Sequence, residues 1–224
     1  MLKCIFAFAA ERRFDFYRET VFRTAEEEVA LRIISGKKRG YKLTPPDGVG
    51  TRPTTDRVKE SVFNIIQMRF PCTAVLDLFG GSGALGIEAL SRGAEVAVFV
   101  EKDKDALRVI RKNLEGSGLD SGAMVFPGDA FEFLNGLEQG SVLDGKYKAA
   151  FEKAGGFDVI FLDPPYSKGI LTRALDKIFD LDILSENGII VAETEVGGED
   201  VSDCGFDIKK TAKYGKTIIT VMQR

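Results

Sequence analysis

From Ala74 onward, short runs of consecutive apolar residues alternate with stretches whose apolar positions recur every three or four residues. The runs are AVLDLF at 74–79, EVAVFVE at 95–101, MVFPGD at 124–129, FDVIFLD at 157–163 and GIIVAETE at 188–195. Strands buried on both faces read this way, so the pattern predicts a parallel sheet covered by helices. The last segment, FDIKKTAKYGKTIITVMQR at 206–224, alternates around a Tyr-Gly-Lys turn and predicts a terminal antiparallel hairpin.

Upstream the pattern changes. LRIISGKKRGYKLTPP at 31–46 predicts a β-hairpin with Lys37, Lys38 and Arg39 at its tip. After a loop, TTDRVKESVFNIIQMRF predicts an amphipathic helix with Thr54 or Thr55 as N-cap, Asp56 in the first turn, and Val58, Val62, Ile65 and Ile66 on one face. Residues 1–30 lack Gly and Pro and are compatible with a helix. EEEVAL at 26–31 can be encoded by a purine-rich, ribosome-binding type of run followed by a Leu codon used as a start, so the natural chain is expected to begin at Leu31. The polar, Lys- and Gly-rich stretch at 139–156 is expected to be a surface insertion. The division expected is an extension over 1–30, a basic hairpin and helix over 31–72, and an α/β domain over 73–224.

Composition narrows the chemistry. Three cysteines at wide spacing and no histidine argue against a disulfide framework and exclude histidine metal sites; no metal is expected, and a reducing cytoplasm is the expected home. No run approaches the ~18 apolar residues of a membrane span. The net charge of −3 hides an asymmetry: residues 32–72 carry 9 Lys/Arg against 3 Asp/Glu, and residues 73–224 carry 17 against 25. A local basic patch points to a polyanionic partner.

Two constellations carry chemistry. Asp77 closes the first apolar run and is followed by a turn with Gly80, Gly81 and Gly83 that opens a helix. Glycines let a ligand approach main chain, and in a doubly wound sheet ligands bind at the carboxyl ends of strands. The match to a dinucleotide fingerprint is weak, and Asp77 would repel a pyrophosphate but welcome an ammonium. Glu101, at the end of the second run, suits ribose hydroxyls, and Asp129, at the end of the third, suits an adenine amine. Together these read S-adenosylmethionine better than NAD.

The second constellation is Asp163-Pro164-Pro165-Tyr166, at the end of the fourth run. Two prolines withhold N–H donors, leaving carbonyls and the Asp163 carboxylate as acceptors beside an aromatic ring. Such a corner suits a planar base with an exocyclic amine, held by Asp163 and the Pro164 carbonyl and stacked on Tyr166. Catalysis is then positioning plus acceptors matched to charge developing on nitrogen, on a base taken out of its stack.

The run RIISGKKRGYKL, RPTTDRVKESVFNII, VLDLFGGSGALGIEALSRGA and FLDPPY resembles the RsmD-type methyltransferases, which methylate a guanine N2 in bacterial 16S rRNA of the small ribosomal subunit. The resemblance covers about residues 31–224. It implies a Rossmann-like class I methyltransferase fold, with a seven-stranded, mostly parallel sheet ending in an antiparallel hairpin. It also implies S-adenosyl-L-methionine as cofactor, its methionine end against Asp77, Phe79, Gly80 and Gly83, ribose at Glu101 and adenine near Asp103 and Asp129. Catalysis would lie at Asp163 to Tyr166. Arg52 to Arg57 would close over the cofactor with Thr54 and Thr55, and Lys37, Lys38, Arg39, Arg52 and Arg57 would meet RNA. A DNA adenine or cytosine amino-methyltransferase and a non-catalytic RNA-binding assembly factor stay open as alternatives; a monomer acting on rRNA in a small subunit or its assembly intermediate is expected.

Overall fold

The computed structural model describes residues 31–45, 56–165 and 169–224. The helix expected within 1–30, the start expected at Leu31 as a feature of that segment, the caps Thr54 and Thr55, Arg52 and Tyr166 fall on or beside residues outside this set. Leu31–Arg224 forms one compact unit.

Seven strands build one sheet: β1 (Ala74–Asp77), β2 (Val96–Glu101), β3 (Ala123–Pro127), β4 (Phe157–Leu162), β5 (Leu184–Glu195), β6 (Asp207–Tyr214) and β7 (Thr217–Gln223). Their order is β3-β2-β1-β4-β5-β7-β6. The first five are parallel, and β7 lies antiparallel between β5 and β6. The apolar runs are therefore continuous because they are covered twice. Leu76, Val98 and Ile160 face one cluster, and Val75, Ala97 and Val159 face the other.

The first cluster is closed by α4 (Ala130–Glu138), α5 (Gly145–Ala154) and α6 (Ile170–Leu181), and the second by α1 (Asp56–Ile65), α2 (Ala84–Ser91) and α3 (Lys104–Ser117) with the hairpin. Chain order reverses between β1 and β4, which join opposite directions of winding. The crevice expected for a ligand lies there, at the carboxyl ends.

Two elements differ from the sequence expectation. The expected hairpin forms over the described residues 31–45, but its pairing is short, with an antiparallel bridge between Arg32 and Lys42 in place of two regular strands. Ile33, Gly40 and Leu43 donate across the hairpin, to the carbonyls of Tyr41, Ile33 and Leu31, while other donors turn inward: the N–H groups of Ile34 and Ser35 donate to the Glu88 carboxylate at 2.7 and 2.9 Å, and that of Lys37 to the Ser91 carbonyl at 2.8 Å. The stretch at 139–156 contains helix α5. Tyr147 and Phe151 pack against the core, Ala150 is buried in it, and the Tyr147 hydroxyl donates to the Ala123 carbonyl at 2.6 Å. Those apolar positions at helical spacing outweigh the Lys- and Gly-rich composition.

Glu88 is the centre of a buried polar seam. It is fully buried, accepts from Ile34, Ser35 and Arg92, and pairs with the fully buried Lys59 of α1 at 3.7 Å. The Lys59 ammonium also donates to the Arg32 carbonyl and lies 3.9 Å from Asp56. Burial pushes the Lys59 pKa down, against the pull of Glu88 and Asp56.

Candidate active site

β1 ends at Asp77, which is 2% exposed, and the chain leaves the sheet at once. The Leu78 N–H donates to the Phe161 carbonyl of β4 at 3.1 Å, fixing the exit beside the strand that leads to Asp163. The Gly80 N–H then donates to the Val100 carbonyl of β2 at 2.9 Å, and Gly83 at φ 76° starts α2. A side chain at Gly83 would be strained by that φ, and a Cβ at Gly80 would meet the Ile110 methyl at 2.9 Å. The glycine turn is thus folded against two strand ends with main chain facing the crevice.

Acidic groups line this edge. Glu101 ends β2, accepting from the N–H of Gly81 through one oxygen and of Asp103 through the other, both at 2.8 Å. Asp77 accepts from the Gly86 N–H at 3.1 Å. Burial raises its pKa to about 8; the Gly86 hydrogen bond opposes this, and the nearby Asp163 and Glu101 charges add to it. An opposite charge beside a buried carboxyl would bring its pKa down again, so such a group suits an ammonium better than a phosphate.

Asp103 and Asp129 have local duties as well. Asp103 caps α3, accepting from Asp105 and Ala106 N–H groups, and Asp129 caps α4 in a reciprocal box with Glu132. Asp129 Oδ2 also lies 3.8 Å from the Lys102 ammonium. Phe79 is half-buried against the α4 to α6 cluster.

Asp163 follows β4 directly, half-buried, with Pro164 buried and Pro165 exposed. The structure therefore brings Asp77, Gly80, Gly81, Gly83, Glu101, Asp103, Asp129 and Asp163 to one sheet edge. It does not bring Lys37, Lys38 and Arg39 there. They are exposed at the far end, beside the C-terminal ends of α2 and α3. Arg57 is exposed on α1.

Two positioning side chains escaped the sequence. Asn113 of α3, 2% exposed, accepts from Thr44 N–H at 2.8 Å and donates to the carbonyls of Thr44 and Ser82 at 2.9 Å, tying the hairpin exit to the glycine turn. Glu199, in the loop after β5, accepts from the N–H groups of Leu171 and Thr172 at 3.3 and 2.9 Å and from the Thr172 hydroxyl at 2.8 Å. It caps α6 in place of Gly169, which has no side chain to do so. Both act across long sequence separations, where spacing carries no signal.

The sequence model of a family described as "Conserved hypothetical protein 95" matches residues 31–223. A Bacillus subtilis (strain 168) protein, "Putative rRNA methyltransferase YlbH", is 42% identical over 197 residues, covering 87% of this chain and 99% of that protein. The "Ribosomal RNA small subunit methyltransferase D" of Escherichia coli K12 is 37% identical over 167 residues, covering 74% of this chain and 75% of its own. A solved structure, "Putative methyltransferase yhhF from Escherichia coli", superposes with a TM-score of 0.68 at 32% identity, covering 86% of this chain and 97% of that one.

Proposed function

The chain belongs to the family described as conserved hypothetical protein 95, and from that premise we propose that it transfers a methyl group from S-adenosylmethionine to the exocyclic N2 amine of a guanine in small-subunit rRNA. The observation that carries the reading is the shared edge: a buried, cation-seeking Asp77 at β1 and the Asp163-Pro164-Pro165 corner at β4, on either side of the point where strand order reverses. When bound, S-adenosylmethionine supplies a sulfonium methyl whose C–S bond breaks as the N–C bond forms.

Residues of this chain fit that group. Asp77 would hold the methionine ammonium, Glu101 the ribose hydroxyls, and Asp103 and Asp129 the adenine end, with Phe79 and the Gly80, Gly81 and Gly83 main chain alongside. Glu101 is already oriented by two N–H donors, so it enters the site without further ordering. Thr54 and Thr55 would close over the cofactor.

The guanine amine would donate to Asp163 and to the Pro164 carbonyl, its ring against Tyr166. Those acceptors favour a lone pair directed at the methyl and stabilise positive charge growing on nitrogen. The attacking nitrogen then loses a proton to Asp163 or to water. Lys37, Lys38, Arg39, Arg52 and Arg57 would contact RNA of the small subunit or its assembly intermediate, in the cytoplasm, with the protein as a monomer.

The test is transfer of labelled methyl from S-adenosylmethionine to small subunits from a strain lacking the gene, followed by nucleoside analysis. N2-methylguanosine is the expected product. Label on another nucleoside would overturn the guanine assignment, and binding of cofactor without label would favour an assembly role.

A further inference from the structure

The tip of the hairpin and the candidate active site lie at opposite ends of the sheet. α2 and α3 both start at the carboxyl edge, and the tip docks where they end: Lys37 N–H on the Ser91 carbonyl, Lys38 N–H on the Ser91 hydroxyl at 3.0 Å, and the Lys38 ammonium beside Gly118. The 14 residues of α3 span about 21 Å between those ends. An RNA held at the tip and presenting a base at Asp163 has to cross that distance.

We infer that the outward stripe of α3, made of Lys104, Arg108, Arg111 and Lys112, is an RNA-backbone track that joins the hairpin tip to the catalytic edge. The inference rests on the rRNA reading above. Ala106, Leu107, Ile110, Asn113 and Leu114 point into the protein, so helical spacing leaves the four basic residues on one exposed arc, shared with Glu115. Among the described residues Arg108 alone of the four forms an ion pair, with Asp105. Tyr41 of the hairpin sits against Gly116, which makes the tip and the stripe one continuous surface.

Charge separates this side from the other. Residues 31–45, 56–69, 84–92 and 104–117 carry 13 Lys/Arg against 5 Asp/Glu, a net of +8. Residues 130–154 and 170–182, which contain α4 to α6, carry 5 against 7, a net of −2. A solvated helix face needs no such contrast, whereas a phosphate chain crossing one side of the molecule does. The occupant is the sugar-phosphate backbone of small-subunit rRNA flanking the target guanine.

The test compares Arg108→Gln/Arg111→Gln/Lys112→Gln with a control that removes equal charge from α5, Lys146→Gln/Lys148→Gln/Lys153→Gln. Binding is measured to small subunits and to the same RNA freed of protein, over a salt series. The α3 variant is expected to bind both about tenfold more weakly near physiological salt, with the slope of log K against log salt smaller by about 2, because each lost phosphate contact releases fewer counterions. S-adenosylmethionine affinity stays unchanged, and the α5 control stays as the parent. An unchanged slope overturns the track, as does an equal loss in the α5 control. A loss on subunits but none on free RNA also overturns it, since the stripe would then meet ribosomal protein. If binding falls as expected while the parent protein places no methyl group on either RNA, the track stands and the methylation reading fails.

Discussion

The layer of α4, α5 and α6 is held to the sheet by apolar contact, with Phe133, Leu134, Leu175 and Ile178 against Leu76, Val98 and Ile160. The layer of α1, α2 and α3 has a comparable apolar cluster and adds the buried seam of Glu88, Lys59, Ser91 and Asn113. The reason is the hairpin. Its own cross-strand bonds satisfy Ile33, Gly40 and Leu43 but leave the N–H groups of Ile34, Ser35, Lys37, Lys38 and Thr44 to be met from outside, and buried donors without partners are costly. The domain supplies the acceptors, and in doing so fixes the basic tip and the hairpin exit relative to the glycine turn.

The sharpest way to break that contrast is Glu88→Ala. It leaves Lys59 buried without its main partner and the N–H groups of Ile34 and Ser35 without an acceptor. We expect a loss of about 3–5 kcal/mol in denaturant unfolding. An ordinary buried ion pair can be replaced by apolar residues at little cost, but Lys59→Met/Glu88→Leu should stay destabilised because the two N–H groups remain orphaned. Full recovery in that double variant would reduce the seam to a simple pair. Phe133→Ala in the other layer should cost a similar amount, about 3–5 kcal/mol, while hydrogen exchange at Ile33 and Leu43 keeps its order relative to the rest of the protein.

Asp163 belongs to neither layer but to the edge they share. Asp163→Ala should lower turnover about 100- to 1000-fold, in line with removal of one group aimed at developing charge, and leave cofactor affinity near the parent value. Near-normal turnover would remove Asp163 from the role assigned to it.

Asp77 gives the edge a pH signature. Its carboxyl is protonated in the folded protein up to about pH 8, whereas the ordinary value is 3.8. The folded state therefore holds an extra proton between those values, and this contribution to stability is complete below pH 3.8 and lost as pH rises to about 8. A bound ammonium favours the carboxylate, so S-adenosylmethionine affinity should rise with pH towards 8 and proton release should accompany binding at pH 7. Titration calorimetry in buffers of different ionisation enthalpy measures that release. Asp77→Asn should abolish it; persistence in that variant would assign the proton to another group.

The sheet was legible because a doubly covered strand has to be apolar throughout, as Val75 to Leu76 and Val159 to Leu162 are. The glycine turn and the Asp163 corner were legible because their chemistry is contiguous in sequence. α5 was hidden by its lysines and glycines, although Tyr147, Ala150, Phe151 and Ala154 carried the helical period. The seam was hidden for a different reason. Glu88 accepts from a residue 54 positions away and Asn113 from one 69 away, and each looks locally like a polar position on an amphipathic helix. Only the fold shows that these polar positions face inward.

The smallest expected effect concerns a polar clamp on the apolar side. Glu199 holds the start of α6, and the chain between Leu162 and that helix contains the whole Asp163 corner. Burial opposes ionisation of Glu199, but hydrogen bonds from Thr172, Leu171 and Gly169 outweigh it and keep the pKa below its ordinary 4.5. The stability from this cap is thus present above pH 4.5 and lost as pH falls through the lowered value. Glu199→Ala should cost about 1 kcal/mol, typical of a lost N-cap. If the clamp serves only the helix, turnover will follow the folded fraction and nothing more. If it positions the corner, kcat will fall several-fold in fully folded protein while the S-adenosylmethionine Kd holds, and Glu199→Gln, which keeps an acceptor at the site, will restore part of it. We expect the second pattern. It would mean that the apolar layer, too, uses a polar contact at the point where its helix controls the reacting edge.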